Sequence, residues 1–392
     1  MKDVVILAAV RTPIASFLGS FKDISASQLA AHCLTEAVNR AKVPGEMIDE
    51  CLMGCVLPAG MGQAPARQSV IFANLPQSIR CTTVNRVCGS GLKTVMMATQ
   101  MIQTGDANIV LAGGMESMTR APYLLDRARE GYRLGNGKIV DSMISDGLWD
   151  VYNNFHMGTA AELCAKEKKI SRSEQDEYAL MSYQRAQLAA KEGLLKREIV
   201  PIEATIGKET RKIDADEEPF KAKLDRLGQL SPVFDKAGTV TAGNASSLAD
   251  GACVLILADS ETAKKLGTKP VARVVAQASH AQAPEWFTTA PVGSLNKLAA
   301  KAKIALNQID RFEINEAFSV VALACVKELG LDMARVNVRG GAVAMGHPIG
   351  ASGARILTTL LHTLQDEKKQ YGAASLCIGG GEASALLIEN LG

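Results

Sequence analysis

The chain has 392 residues, with 43 lysines and arginines against 41 aspartates and glutamates, a net charge of +2, and 47% hydrophobic residues. That length and apolar content suit two or three domains with cores of their own and exclude a disordered or collagen-like chain. Near-neutral charge with 4% aromatics argues against nucleic acid as a partner, because neither a basic excess nor stacking platforms among basic residues are present.

The first signal along the chain is the apolar run from Val4 to Val10, too short to cross a bilayer and best read as a buried strand. Asp3 stands before it, no small-residue cleavage site follows, and the chain ends Glu389-Asn390-Leu391-Gly392, so no targeting segment and no membrane association are expected. Nine cysteines, an odd number without framework spacing, suit a reducing, cytoplasmic setting. Cys51 and Cys55 lack the second pair of ligands that zinc needs and are read as buried thiols; no metal site is expected.

Apolar runs at 3–10, 108–112, 252–258, 271–276 and 385–389 predict buried strands. Apolar positions three and four apart predict helices over 25–41, 92–103, 317–329 and 353–365. The chain also repeats itself. Residues 41–54 align without gaps on 302–315, sharing Ala41/Ala302, Lys42/Lys303, Ile48/Ile309 and Asp49/Asp310. After each copy come a Val-Asn pair, a Ser-Gly opening a helix, and a strand associated with Gly-Gly and Glu. Two similar halves are expected, 1–117 (completed by about 250–270) and 271–392, within a layered α/β architecture. Residues 118–249 are richer in charge and read as an inserted lobe. Its Lys166, Lys168, Lys169, Arg211, Lys212, Lys221, Lys223 and Arg226 suit either a phosphorylated ligand or a solvated surface.

Four short stretches carry chemistry. In RVCGSG, 86–91, Cys88 follows a strand and precedes a glycine turn and a helix, a place where the helix dipole and unpaired amides favour a thiolate. In GGAVAMGHPIGASG, 340–353, His347 stands in a glycine-rich loop, where an imidazole can deprotonate a thiol or polarise a carbonyl. In LCIGGG, 376–381, Cys377 ends a strand beside glycines whose amides are open to an oxyanion. INEAF, 314–318, places Asn315 and Glu316 at a strand-to-helix junction.

These blocks, VCGSG at 87–91, NEAF at 315–318, GHP at 346–348 and CIGGG at 377–381, with GNAS at 243–246, resemble the thiolase family of acyl-CoA acetyltransferases across essentially the whole chain. The resemblance implies a five-layer α/β/α/β/α core of two similar halves, with the inserted lobe covering coenzyme A, and a homotetramer built from tight dimers. It implies that Cys88 takes an acetyl group, activated by His347, and that Cys377 removes an α-proton from a second acetyl-CoA. Asn315 would hold a water beside the enolate oxygen, and the amides of Cys88 and Gly379 would receive the tetrahedral oxyanion. Leu148, His156, Met157, Ala242, Ser246, Ala317 and Phe318 would line the coenzyme's arm. The stretch 219–228, PFKAKLDRLG, departs from the family pattern, leaving Lys221, Lys223 or Arg226 as candidates for the nucleotide phosphates. Trp286 and Phe287 bring bulk to the pocket wall.

The expected activity is acetyl-CoA C-acetyltransferase: two acetyl-CoA giving acetoacetyl-CoA and CoA, with these thioesters as substrates and no cofactor. The stretch DGLWDVYNNFHMG at 146–158 favours the short-chain, biosynthetic branch. A degradative 3-ketoacyl-CoA thiolase of broader chain length, and a non-catalytic acyl-CoA-binding protein of the same fold, are the alternatives.

Overall fold

In the computed structural model, which describes residues 2–392, nine strands follow the chain as β1 (Val4–Arg11), β2 (Glu50–Gly54), β3 (Arg80–Val84), β4 (Ile109–Ser117), β5 (Ala249–Asp259), β6 (Ala272–Ala281), β7 (Arg311–Ile314), β8 (Tyr371–Ile378) and β9 (Glu382–Asn390). They lie in the order β7-β8-β9-β6-β1-β5-β4-β2-β3, and Ala15–Ser16 adds a tenth strand against β5. The main helices are α1 (Ala26–Ala41), α2 (Pro65–Phe72), α3 (Ser90–Thr104), α4 (Met157–Glu167), α5 (Arg172–Lys191), α6 (Ala290–Ala302), α7 (Ser319–Leu329) and α8 (Ser352–Asp366).

Alternating side chains divide the sheet faces. On β5, Ala252, Val254 and Ile256 join the core under α1 and α2, while Cys253, Leu255 and Leu257 join a second core with α3 and α8. On β9, Leu386 and Ile388 face that same central core, whereas Ala385 and Leu387 pack with Leu295 and Leu298 of α6. Two sheet regions thus enclose a helix pair and are covered outside by helices, which makes five layers. The two regions are also hydrogen-bonded to each other through β1 and β6, at Val5 with Arg273 and Ile6 with Ala272, so by backbone pairing they form one folded sheet.

The residues shared by the sequence repeat do the same work twice. Lys42 ends α1 and Lys303 ends α6, both left-handed, at φ 51° and 56°. Asp49 Oδ2 accepts from the amides of Asn108 and Ile109 at 2.7 and 3.1 Å; Asp310 Oδ2 accepts from those of Gln370 and Tyr371 at 3.1 and 2.9 Å. Each aspartate starts the parallel strand beside its own.

Where α3 and α8 meet, glycine is required by close approach. A Cβ on Gly353 would stand 2.4 Å from the Leu92 nitrogen, and one on Gly91 would stand 2.9 Å from that of Ala354. The helix starts therefore touch backbone to backbone, which carries the segments before them, with Cys88 and His347, to one place.

Several boundaries differ from the sequence reading, β6 for example running on to Ala281, and two of the differences have a clear cause. β4 runs on through Gly113 and Gly114 to Ser117, because the glycines interrupt the apolar run without interrupting the ladder to β5. α7 starts at Ser319, not at 317: the Ala317 carbonyl is held by Ser246 through both N–H and Oγ, at 3.0 and 2.9 Å, which keeps Ala317 and Phe318 extended. Among the described residues no helix is long and apolar enough to cross a membrane.

Candidate active site

Cys88 sits on a strained turn. Val87 directly before it has φ +46°, a conformation that is costly for a β-branched side chain. The turn is held from both sides: Ser90 Oγ accepts from the Arg86 amide at 2.8 Å and donates to the Val87 carbonyl at 2.7 Å. Arg86 in turn pairs with Glu382 at 3.1 Å and donates to Ser279 and Ser384, fastening the turn to β6 and β9.

The thiol opens into a cavity of about 580 Å³. Burial pushes it up to about 11, and the Glu116 carboxylate nearby adds to that, while the amides of Gly379 and of Cys88 itself pull it down. The thiolate expected from the helix start is therefore outweighed by desolvation in the resting protein. Those two amides nevertheless converge on the sulfur, where an oxyanion would form.

His347 reaches the same cavity from the other half of the molecule. It is buried, and burial, with Arg355 second, pushes its pKa down to about 3, so the ring is neutral. Nδ1 lies 2.5 Å from Ser352 Oγ, which also donates to the Pro348 carbonyl at 2.9 Å. Nε2 faces Asn315 Nδ2 at 3.5 Å, and Asn315 Oδ1 is buried with no partner. An acceptor left unmatched beside an imidazole suits a water or a ligand donor.

Cys377 is fully buried, and burial first, then the Cys88 sulfur, pushes its pKa well above the usual range. It is close enough to Cys88 to feel its charge, but neither it nor Asn315 is part of the cavity wall, which is formed there by Gly379.

Leu148, His156, Met157, Ala242, Ser246, Ala317 and Phe318 all line the cavity. His156 is more than a loop histidine. Its Nδ1 accepts from the Gly158 amide at 3.0 Å, capping α4, and its ring stacks on Phe234 at 4.8 Å. The acceptor role of Nδ1 puts the hydrogen on Nε2.

The basic candidates fare differently. Arg226 and Lys223 are exposed and outside the cavity wall, and Lys221 is engaged with Ser16 Oγ at 2.5 Å and Glu217 at 3.0 Å. Phe287 forms part of the wall, but Trp286 does not; its ring lies 5.7 Å from Lys168 Nζ. Sequence reasoning missed Phe234, Met143 and Ile349 in the wall, since no pattern distinguishes them from ordinary apolar positions. It also missed Ser352, whose place in the Gly-Ala-Ser-Gly run five residues after His347 was the available signal.

Comparison with known proteins identifies the family. Residues 4–261 match the family model described as thiolase, N-terminal domain, and 268–390 that of thiolase, C-terminal domain. The chain is 48% identical to acetyl-CoA acetyltransferase 1 of Arabidopsis thaliana, covering 99% of this chain and 94% of that one. It is also 48% identical to acetyl-CoA acetyltransferase of Escherichia coli, covering 100% of both. Among solved structures, the acetyl-CoA acetyltransferase of Bacillus anthracis superposes with a TM-score of 0.97 at 40% identity, over 100% of this chain and 99% of that one. Acat5 thiolase of Ascaris suum, solved with coenzyme A, superposes with a TM-score of 0.94 at 43% identity over 100% of both chains.

Proposed function

The chain belongs to the thiolase family, and from that premise we propose that it is an acetyl-CoA C-acetyltransferase, condensing two acetyl-CoA reversibly to acetoacetyl-CoA and CoA. The observation that carries this is the convergence of Cys88, His347 and the Gly379 amide on one largely apolar cavity.

The first half-reaction needs a base. With the Ser352 proton on the Pro348 carbonyl, Nδ1 of His347 donates to Ser352 and Nε2 is bare. Nε2 takes the Cys88 proton as the sulfur attacks the thioester carbon of acetyl-CoA. The oxyanion is received by the amides of Cys88 and Gly379; the bond to the CoA sulfur breaks, and that sulfur leaves with the proton of Cys377, so that Cys377 becomes the thiolate while His347 keeps the proton taken from Cys88. The raised pKa of Cys88 makes its proton transfer part of the attack rather than a prior step.

The second half-reaction needs an acid on the enolate oxygen. That acid is the His347 imidazolium formed in the first half-reaction: Nε2 carries the proton taken from Cys88, while Nδ1 still donates to Ser352. The Cys377 thiolate left by the first half-reaction removes the α-proton of the second acetyl-CoA; Nε2–H of His347 and a water on Asn315 stabilise the enolate. The enolate carbon attacks acetyl-Cys88, the carbon–sulfur bond breaks, and the Cys88 thiolate is reprotonated from Nε2 of His347, while Cys377 keeps the α-proton. All proton transfers fall to side chains of the chain, so CoA thioesters are substrates and no cofactor is needed.

In this reading residues 118–249 form the lobe over the coenzyme, supported by the part that Leu148, His156, Met157 and Phe234 take in the wall. A homotetramer is supported by the apolar side chains Tyr123, Leu125, Leu134 and Ile139 left exposed on that lobe, and a reducing cytoplasmic setting by nine free cysteines. The test is thiolysis of acetoacetyl-CoA by free CoA, beside a long-chain 3-oxoacyl-CoA and the Cys88→Ala protein. Turnover of the short substrate alone supports the proposal; cleavage of both favours a degradative thiolase, and of neither, a binding protein.

A further inference from the structure

Beside Asn315 stands a second buried carboxylate whose place in the mechanism above is empty. Glu316 has no exposed surface, and four donors meet its two oxygens. Oε1 accepts from Tyr178 OH at 2.9 Å and Asn337 Nδ2 at 3.0 Å. Oε2 accepts from Ser182 Oγ at 2.7 Å and the Val343 amide at 3.1 Å. The donors come from different parts of the chain. Tyr178 and Ser182 belong to α5 in the inserted lobe; Asn337 and Val343 belong to the C-terminal half, and Val343 lies in the turn Ala342–Met345 that leads into His347. We infer that Glu316 is a positioning residue that locks the inserted lobe to the segments carrying Asn315 and His347, so that covering the coenzyme and aligning the base are one event.

The network leaves the carboxylate no substitute. Ser182 Oγ accepts from the Gly341 amide at 3.1 Å, and Tyr178 OH accepts from Asn337 Nδ2 at 3.1 Å, so both hydroxyls have their protons directed at Glu316. Asn337 cannot turn its amide over, because Nδ2 also donates to the Ile314 carbonyl at 2.8 Å and Oδ1 accepts from the Ile314 amide at 2.8 Å. A glutamine at 316 would therefore set its NH2 against either Asn337 Nδ2 or the Val343 N–H, two groups that can only donate. The space is equally committed: a Cβ on Gly341 would stand 2.3 Å from Glu316 Cδ.

This inference rests on the thiolase reading, and the experiment separates the two. Glu316→Gln and, independently, Gly341→Ala are compared with the unaltered protein in acetoacetyl-CoA thiolysis, in acetyl labelling of Cys88 by mass spectrometry, and in thermal unfolding. A shift of the reacting groups by about 1 Å costs on the order of a hundredfold in rate. The expected result is a kcat lowered about tenfold to a hundredfold in both variants, with slower Cys88 labelling and KM for acetoacetyl-CoA within about twofold. A lowered melting temperature with unchanged kcat and labelling would show a purely structural role and overturn the inference. So would a loss confined to KM, since the lobe would then only hold coenzyme. An unaltered protein inactive on acetoacetyl-CoA would instead refute the thiolase reading itself.

Discussion

The side chain of Ser352 lies 2.5 Å from Nδ1 of His347 while its backbone opens α8, the helix whose start touches that of α3. One residue thus sets both the place of the imidazole and the partner of its inner nitrogen. Ser352→Ala removes that partner and leaves the ring free to settle in an unsuitable tautomer or orientation, the type of loss that lowers kcat far more than binding. A kcat reduced at least about tenfold, with little change in KM, is the expected outcome of steady-state thiolysis; unchanged kcat would show that burial alone orients the ring.

In the proposed mechanism the two thiols divide the work. Cys88→Ala is expected to abolish acetyl transfer from acetyl-CoA, whereas Cys377→Ala still acquires the acetyl group on Cys88 but fails to condense it. Peptide mass spectrometry after brief exposure to labelled acetyl-CoA reads both. An adduct on Cys377 without one on Cys88 would reverse the assignment.

The buried imidazole also makes stability depend on pH. His347 has its pKa moved from 6.5 to about 3, so below pH 6.5 the unfolded chain takes up a proton that the folded one refuses. Its contribution is present above 6.5 and is lost as pH falls toward 3. Glu116, raised from 4.5 to about 7 by burial, works the other way, stabilising the fold below 4.5 and losing that effect as pH rises through 7. Melting temperatures of the unaltered protein and of His347→Gln, measured across the acid range, should therefore diverge, the unaltered protein falling more steeply below pH 6.5. Parallel curves would contradict a depressed imidazole.

Met157 narrows the cavity beside Gly379: a Cβ on Gly379 would lie 3.5 Å from the Met157 sulfur, and Phe287 forms part of the same wall. Met157→Ala removes most of that bulk and is expected to raise the kcat/KM for a six-carbon 3-oxoacyl-CoA relative to acetoacetyl-CoA by about tenfold, the order of what one or two methylenes are worth in an apolar pocket. If the ratio does not move, the limit lies elsewhere in the wall.

Much of this was legible in the residues. The continuous apolar runs located β1, β4, β5, β6 and β9, where both faces are largely buried and the run is nearly unbroken, but not the shorter or more mixed β2, β3, β7 and β8; the repeated Lys and Asp of 41–54 and 302–315 marked two copies of one turn and strand start. Cys88, His347 and Cys377 stood out as reactive side chains beside glycines, and Asn315 only through the resemblance of its NEAF block; of these the structure brings Cys88 and His347 to the wall of one cavity. The balance of forces on those groups came only from tertiary structure. A helix start favours a thiolate locally, but the burial that outweighs it is produced by both halves and the lobe closing over Cys88. The burial of Cys377 and Asn315, the engagement of Lys221 by Ser16, and the meeting of four donors at Glu316 all join segments far apart in the chain. Local pattern records what each residue offers; desolvation and pairing depend on distance in space, which only the folded chain decides.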